Sequence, residues 1–496
     1  MTTGWGAVVR RARGSREPVA DADAGWPAGV AAGVAAGVSA GVSAGGRGAR
    51  RGGGAAVVVR DVGRAVFVAA AAGVAFAVSV ALGAAGCQAD DEGAGPVTYP
   101  VPECGEPWFA EASGLRRLPY LQDVQPESAR VVFTATTAQL GVVEYAPTAD
   151  GPWTAVAALP EVFTTARTGD VVDYTAWEAR LTGLDDGRTY CYRVLLGDEV
   201  VAQHLTFSTA WRDVNRSVRI LALGDSGRGN DDQRAVRDQF MQREYDVFLH
   251  LGDMAYDDGT FVEFEENMFR VYERFLHRVP SWPTMGNHEF RTGGGRPYLD
   301  VYYLPEVARN PADHERYYSF DYGNVHFVTI DSNELTLGLA VAQDRLSASD
   351  ANMIAWLRDD LAASEAEWKI AFFHHPAYTS SSSREGSALV REAVLSILEE
   401  GGVDLVLVGH DHFYERSHPI LGGAVDPENP RAITYVIAGF GGTNLTATED
   451  GHWHSAHTHD STHGFVDLTI AGCVATGTVI DAFGDVVDRF SVNGCD

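Results

Sequence analysis

The chain has 496 residues, enough for two or three domains, and its 45% hydrophobic content is that of an ordinary globular protein. A formal net charge of −29 at pH 7 argues against a nucleic-acid binder, since no basic stripe offsets that field. The charge is divided along the chain: residues 1 to 86 carry nine Arg against four acidic side chains, and the remainder carries 29 basic against 63 acidic ones.

Residues 1 to 60 contain GVAAGVAAGVSAGVSAGG, a low-complexity run with too few bulky side chains to pack a core, and the stretch is expected to be disordered. Ala65 to Gly86 is apolar and uncharged, follows Arg60 and Arg64, and stops at Cys87, which is the layout of an export signal. Ala84-Ala-Gly-Cys87 is similar to a lipobox with Ala where Leu is usual. Lipid attachment at Cys87, simple cleavage and a retained anchor all stay open, and each places the rest of the chain in the cell envelope or outside the cell. Residues 1 to 87 are thus read as leader plus signal. With Cys87 consumed there, Cys104, Cys191, Cys473 and Cys495 remain, an even number in an oxidising compartment. Of the three connectivities, Cys104 with Cys191 and Cys473 with Cys495 is preferred because each pair stays within one segment of the chain.

Residues 88 to 115, with several Gly and Pro, read as a tether. From Leu118 to Thr209 short alternating runs recur (ARVVFTATT, GVVEYAP, YTAWEARLTGL, TYCYRVLLG, VVAQHLTFST), separated by TADG, DDG and GDE turns. That spacing predicts an antiparallel sandwich over 116 to 211, with no gathering of catalytic side chains. A different texture begins at 217 and runs to 496. Apolar runs at 218–223, 246–251, 369–373 and 404–408 read as buried strands, and helical patterns fall at 233–245, 261–276, 349–363 and 387–400. The alternation predicts βαβ units, and further strands at 317–331, 434–439 and 464–492 make the sheets mixed. The fold class is therefore α/β, mixed sheets flanked by helices and preceded by a smaller all-β sandwich. Chemistry is expected at the carboxyl ends of the strands.

Four apolar runs there end alike, in LALGDSG (221–227), LHLGDMAYD (249–257), FFHHP (372–376, without the glycine) and LVLVGHDH (405–412), and PTMGNHE (283–289) is a fifth, less apolar case. A glycine after a strand permits a tight turn that aims the next side chain over the sheet edge. Five such turns offer Asp225, Asp253, Tyr256, Asn287, His374, His410 and His412, a mixed oxygen and nitrogen set suited to first-row metals. Seven donors serve two ions if one carboxylate bridges. In GHDH, residues two apart in an extended segment would point both imidazoles the same way. The polar run HWHSAHTHDSTH, with His452, His454, His457, His459 and His463, lacks strand or helix period and is read as a loop near the site mouth rather than a third metal site.

GDSG, GDMAYD, GNHE, the His374 strand and GHDHFYERS together resemble the motif blocks of the calcineurin-like metallophosphoesterases, in the variety shown by purple acid phosphatases; Gly-Asp-x-x-Tyr is the discriminating block. The likeness runs from about 115 to 490, and the upstream strands are similar to the fibronectin-like domain of plant-type members. What the resemblance implies is a binuclear centre, with Asp225, Tyr256 and His412 on Fe(III), Asn287, His374 and His410 on a divalent Fe, Zn or Mn, and Asp253 bridging. The His-x-Pro spacing of the family selects His374 over His375. His288 would face substrate as general acid. The implied activity is hydrolysis of small phosphate monoesters by attack of a metal-bound hydroxide. A phosphodiesterase or nucleotide hydrolase on the same scaffold, and an inactive surface binding protein, are the alternatives. The family's Val-x-x-His strand has Ala371 in place of valine here, and TSSSSREG stands where plant-type members often carry further histidines.

Overall fold

The computed structural model describes residues 99–111, 114–336 and 346–494. The low-complexity leader, the proposed signal with Cys87, and Cys495 lie outside the described residues. The described residues fall in one compact unit.

Between 108 and 208 the chain builds two antiparallel sheets, of five and four strands. Each expected run is there: Ser128–Ala135, Gly141–Ala146, Tyr174–Thr182, Thr189–Leu196 and Glu199–Ser208. Val131, Phe133, Trp177, Tyr192, Leu205 and Phe207 fill the space between the sheets. A Cys104–Cys191 disulfide ties the entering segment to the Thr189–Leu196 strand. Cys473 is disulfide-bonded as well. The other face of the four-stranded sheet is also buried, because Tyr120, Val132, Phe163, Tyr174 and Ala176 join the core of the following region.

That region holds two facing mixed sheets. In the six-stranded one, Ser281–Pro283, Val247–His250 and Val218–Leu223 are parallel, and the antiparallel strands Gly464–Ala471, Val474–Asp481 and Val486–Asn493 extend it. The seven-stranded one orders Tyr318–Tyr322, Val325–Thr329, Trp368–Phe373, Leu405–Val408, Thr434–Ala438, Tyr414–Ser417 and Ser455–His459, with a parallel centre. Its central strands are mostly apolar because both faces are covered: Leu405–Val408 is apolar throughout, and Trp368–Phe373 departs from this only at Lys369. Ile370 and Phe372 face the other sheet, while Ala371 and Phe373 face Met353, Leu357, Val394 and Leu398 of the outer helices. Ala371 is thus a packing position on the face turned from the inter-sheet core.

The helices fall close to their patterns. Asn230 caps Asp231–Phe240 by accepting from Gln233 N, and Ser347 caps Ala348–Ala363 by accepting from Asp350 N. The first of these stops at Phe240, five residues short of the expected end. The runs 261–276 and 388–400 each contain a π-helical stretch, Phe264–Phe269 and Arg391–Leu395. One expectation is overturned: the histidine-rich run is not a loop throughout, because Ser455–His459 is an edge strand paired antiparallel with Tyr414–Ser417.

Candidate metal centre

The parallel strands of both sheets end on one side, and the turns that follow them meet there. Asp225 and Asp253 follow the strands Val218–Leu223 and Val247–His250 and are buried, and His374 directly follows Trp368–Phe373. Asn287 opens a short helix after Ser281–Pro283, and His410 and His412 follow Leu405–Val408.

The conformational work is divided otherwise than the glycines suggest. The left-handed backbone falls on the donors themselves, at Asp225 (φ 56), Asp253 (φ 56) and His410 (φ 72), although Gly252 shares it (φ 93). Asp and His tolerate that region better than branched residues do. The glycines are needed chiefly for closeness. A Cβ on Gly409 would lie 2.5 Å from Asp225 Oδ2, and one on Gly286 would lie 2.2 Å from Asp253 Oδ1. For the same reason GHDH is not extended, and its imidazoles reach the centre from different directions.

Asp253 lies between two sets of donors. On one side Tyr256 Oη is 3.0 Å from Asp253 Oδ2, 3.1 Å from Asp225 Oδ1 and 3.5 Å from His412 Nε2. On the other, His374 Nε2 is 3.5 Å from Asp253 Oδ2, and Asn287 Oδ1 is 3.1 Å from His374 Nε2 and 2.9 Å from His410 Nδ1. All seven expected donors come together. The backbone N–H of His410 donates to Asp225 Oδ2 at 2.7 Å, which locks the two sets to each other. His375, its ring 4.5 Å from that of His410 and its Nδ1 2.8 Å from Ser332 Oγ, also stands beside the second set.

Proton positions test whether cations fit. His374 Nδ1 meets the Leu251 carbonyl at 2.8 Å and His412 Nδ1 meets the Asn444 carbonyl at 2.9 Å; carbonyls only accept, so each Nδ1 carries its hydrogen and each Nε2 is turned to the centre. This is the orientation that metal-ligating histidines adopt. Burial opposes protonation of His374, but Asp253 outweighs it and lifts the imidazole to about 9. Burial likewise resists ionising Asp253, yet His374 and His288 hold its carboxyl well below the ordinary range. Burial pushes Asp225 well above that range, and burial with Asp225 and Asp253 raises Tyr256. Protons therefore sit between oxygen and nitrogen donors whose mutual repulsion a cation relieves, and the donor set fits two metal ions.

Glu289 holds the turns in place. Buried, it accepts the N–H groups of Asp253 (2.7 Å), Met254 (2.7 Å), Ala255 (3.0 Å) and Gly286 (2.9 Å). Glu415 anchors Ser380, accepting from its N–H at 2.8 Å and its hydroxyl at 2.6 Å. Arg416 pairs with Asp488 at 2.8 Å. His288 donates from Nδ1 to the Asp257 carbonyl, lies tilted against Tyr256 with ring centroids 4.2 Å apart, and places Nε2 3.8 Å from Asp253 Oδ2. Two rim residues escaped the sequence reading, Asp411 and Arg384; the aspartate between the two histidines of GHDH was the available signal. In the histidine-rich run His454 turns to Glu415 (3.3 Å) and His459 to Thr462 (2.6 Å), and no metal-binding group forms there among the described residues.

Comparison with known proteins points to the same class of domain. The calcineurin-like phosphoesterase family matches residues 218–414. The chain therefore carries a calcineurin-like metallophosphoesterase domain. Within that class it is purple acid phosphatase-like: purple acid phosphatase 21 of Arabidopsis thaliana is 29% identical over 226 residues, 44% of this chain and 49% of that protein. Acid phosphatase type 7 of Mus musculus is 26% identical over 53% of this chain and 63% of its own length. A purple acid phosphatase from yellow lupin seeds shares the fold, with a TM-score of 0.64 over 76% of this chain and 74% of its own, at 20% identity. The chain spans about half the length of the curated relatives that it matches.

Proposed function

We propose that this chain is an exported acid phosphatase that hydrolyses small phosphate monoesters at a centre of Fe(III) and a divalent Fe, Zn or Mn ion. The reading is carried by one observation, the meeting of seven donors from five turns in two sets on either side of Asp253. Asp225, Tyr256 and His412 would hold the trivalent ion, Asn287, His374 and His410 the divalent one, and Asp253 both. When bound, the two cations acidify water and neutralise charge on the phosphoryl oxygens. Once cations displace their protons, Asp225, Asp253 and Tyr256 would be anionic donors that favour the higher oxidation state of iron, and an acid optimum and a visible tyrosinate colour would follow.

His288 supplies the leaving group's proton. Its Nδ1–H is committed to the Asp257 carbonyl, so the imidazole presents Nε2 to the centre and delivers a proton from that atom to the departing alkoxide. His288→Ala should slow alkyl phosphates more than activated aryl phosphates. Export rests on Ala65–Gly86, and residues 116–211 are read as a fibronectin-like sandwich, consistent with the two antiparallel sheets found there.

The test is metal analysis and a pH profile of the purified full chain, with p-nitrophenyl phosphate and its bis ester as substrates. Iron, an acid optimum and preference for the monoester support the proposal. Full activity in iron-free, colourless protein, or a maximum only above about pH 9, removes Fe(III) from it. Preference for the bis ester makes the chain a phosphodiesterase.

A further inference from the structure

Arg384 stands on the rim of the centre with three of its five guanidinium N–H groups unused among the described residues. Its Nη1 donates to the His410 carbonyl, and to Asp411 Oδ1 at 3.1 Å, so the guanidinium is fastened to the turn between His410 and His412. Asp411 is buried and is itself held by the Thr379 hydroxyl at 2.5 Å, so the anchor is rigid. The Arg384 side chain keeps 38% of its surface exposed, and its Nε and Nη2 make no hydrogen bond with the described residues. A planar fork anchored by one arm, with N–H groups to spare, is built to take an oxyanion.

The proposed reaction has a place for such a donor. A bound monoester presents three non-bridging oxygens and up to two negative charges, whereas a diester has two such oxygens and one charge. His288 lies on the Tyr256–Asp257 side, where it attends the leaving group, and Arg384 lies on the His410–Asp411 side. Resting on the phosphatase reading above, we propose that Arg384 binds a non-bridging phosphoryl oxygen and thereby sets the preference for monoesters over diesters.

The full chain, loaded with metal, is assayed as parent, Arg384→Gln and Arg384→Lys. Charge-assisted hydrogen bonds of this kind predict an increase of about ten- to a hundredfold in KM for p-nitrophenyl phosphate and in the inhibition constant of inorganic phosphate. The bis ester should change by less than about threefold, because it has no third oxygen to lose. Metal content stays at the parent's value; Arg384→Gln lowers Tm because buried Asp411 loses its partner, whereas Arg384→Lys keeps the charge and recovers only part of the affinity because it lacks the fork. Equal losses on both esters with phosphate inhibition unchanged, or a fall in metal content that accounts for the loss, would overturn the assignment and leave Arg384 a structural partner of Asp411. A parent chain without turnover would instead fault the phosphatase reading; calorimetric titration of inorganic phosphate into parent and Arg384→Gln then decides the role of Arg384 alone, a matching affinity refuting it.

Discussion

Three donors, Asp225, Asp253 and His410, accept a left-handed backbone, at a cost of order 1 kcal/mol each. The neighbouring turns hold them there, and the glycines let those turns close. Gly409 makes this testable, since a methyl group there would lie 2.5 Å from Asp225 Oδ2 and 2.8 Å from the Leu251 carbonyl. Gly409→Ala should cost about 1 to 3 kcal/mol of stability through overpacking. It should also weaken metal retention, read as a lower chelator concentration for half-loss. Retention equal to the parent's would show that the turns have slack. A second residue-scale prediction lies away from the centre, at His326, whose Nδ1 is 2.7 Å from Asp321 and whose Nε2 is 2.9 Å from Asp360. Burial opposes its charge, but the two carboxylates outweigh it and raise it from 6.5 to about 9. A raised folded value means that the stabilisation is complete below pH 6.5 and disappears as pH climbs through about 9. The Tm gap between the parent and His326→Asn should therefore narrow over that window, and a gap that widened toward alkaline pH would contradict the pairing.

Glu289 acts at the scale of elements, because a single carboxylate joins the turn after Val247–His250 to the helix start at Asn287. Glu289→Gln keeps the volume but replaces one accepting oxygen with a donor facing N–H groups. Metal affinity should drop about ten- to a hundredfold, as when other ligand-orienting partners are removed. Competition with a chelator measures this, and unchanged affinity would mean that the turns are held otherwise. The strands leading into the centre were readable because burial on both faces leaves an unmistakable apolar run. The strand Ser455–His459 was not: it is polar and lies at a sheet edge, and its hydrogen bonds come from Tyr414–Ser417, far away in sequence. The bend in GHDH was hidden for a related reason. An i, i+2 pattern presumes extended backbone, and it is the approach of Asp225 to His410 N that turns the chain there.

Across the whole molecule, the upstream β-rich region and the metal-centre region meet in one core, with Tyr120, Val132 and Tyr174 packed among Phe261 and Phe269. Arg117, buried, donates to Glu265 at 2.9 and 3.0 Å and lies 3.6 Å from the Phe269 ring. Tyr120 adds a hydrogen bond to the Val301 carbonyl at 2.7 Å. Removing the charge of Glu265 strands a buried guanidinium, so Glu265→Gln should lower stability by about 3 to 5 kcal/mol. Denaturant unfolding followed by fluorescence should show one transition at a lower midpoint. Two separate transitions in the parent would show instead that the regions fold independently. The net charge of −29 bears on function at this scale too, because the long-range field repels phosphate esters. Arg384, Arg228 over the Tyr256 ring and, when bound, the cations are local positive features that offset this field near the centre.

What the amino-acid order determined by itself was the inventory: which runs are buried on both faces, where each stops, and which oxygen and nitrogen side chains stand at those ends. Period and hydrophobicity are local properties, and a chain displays them before it folds. Only the tertiary structure decided that the ends share one place, that the strained dihedrals fall on Asp225, Asp253 and His410 rather than mainly on the glycines, and that Arg384 reaches the His410 turn from 26 residues away. Those facts depend on distances between segments far apart along the chain, which are set by sheet order and by the packing of one turn against the next.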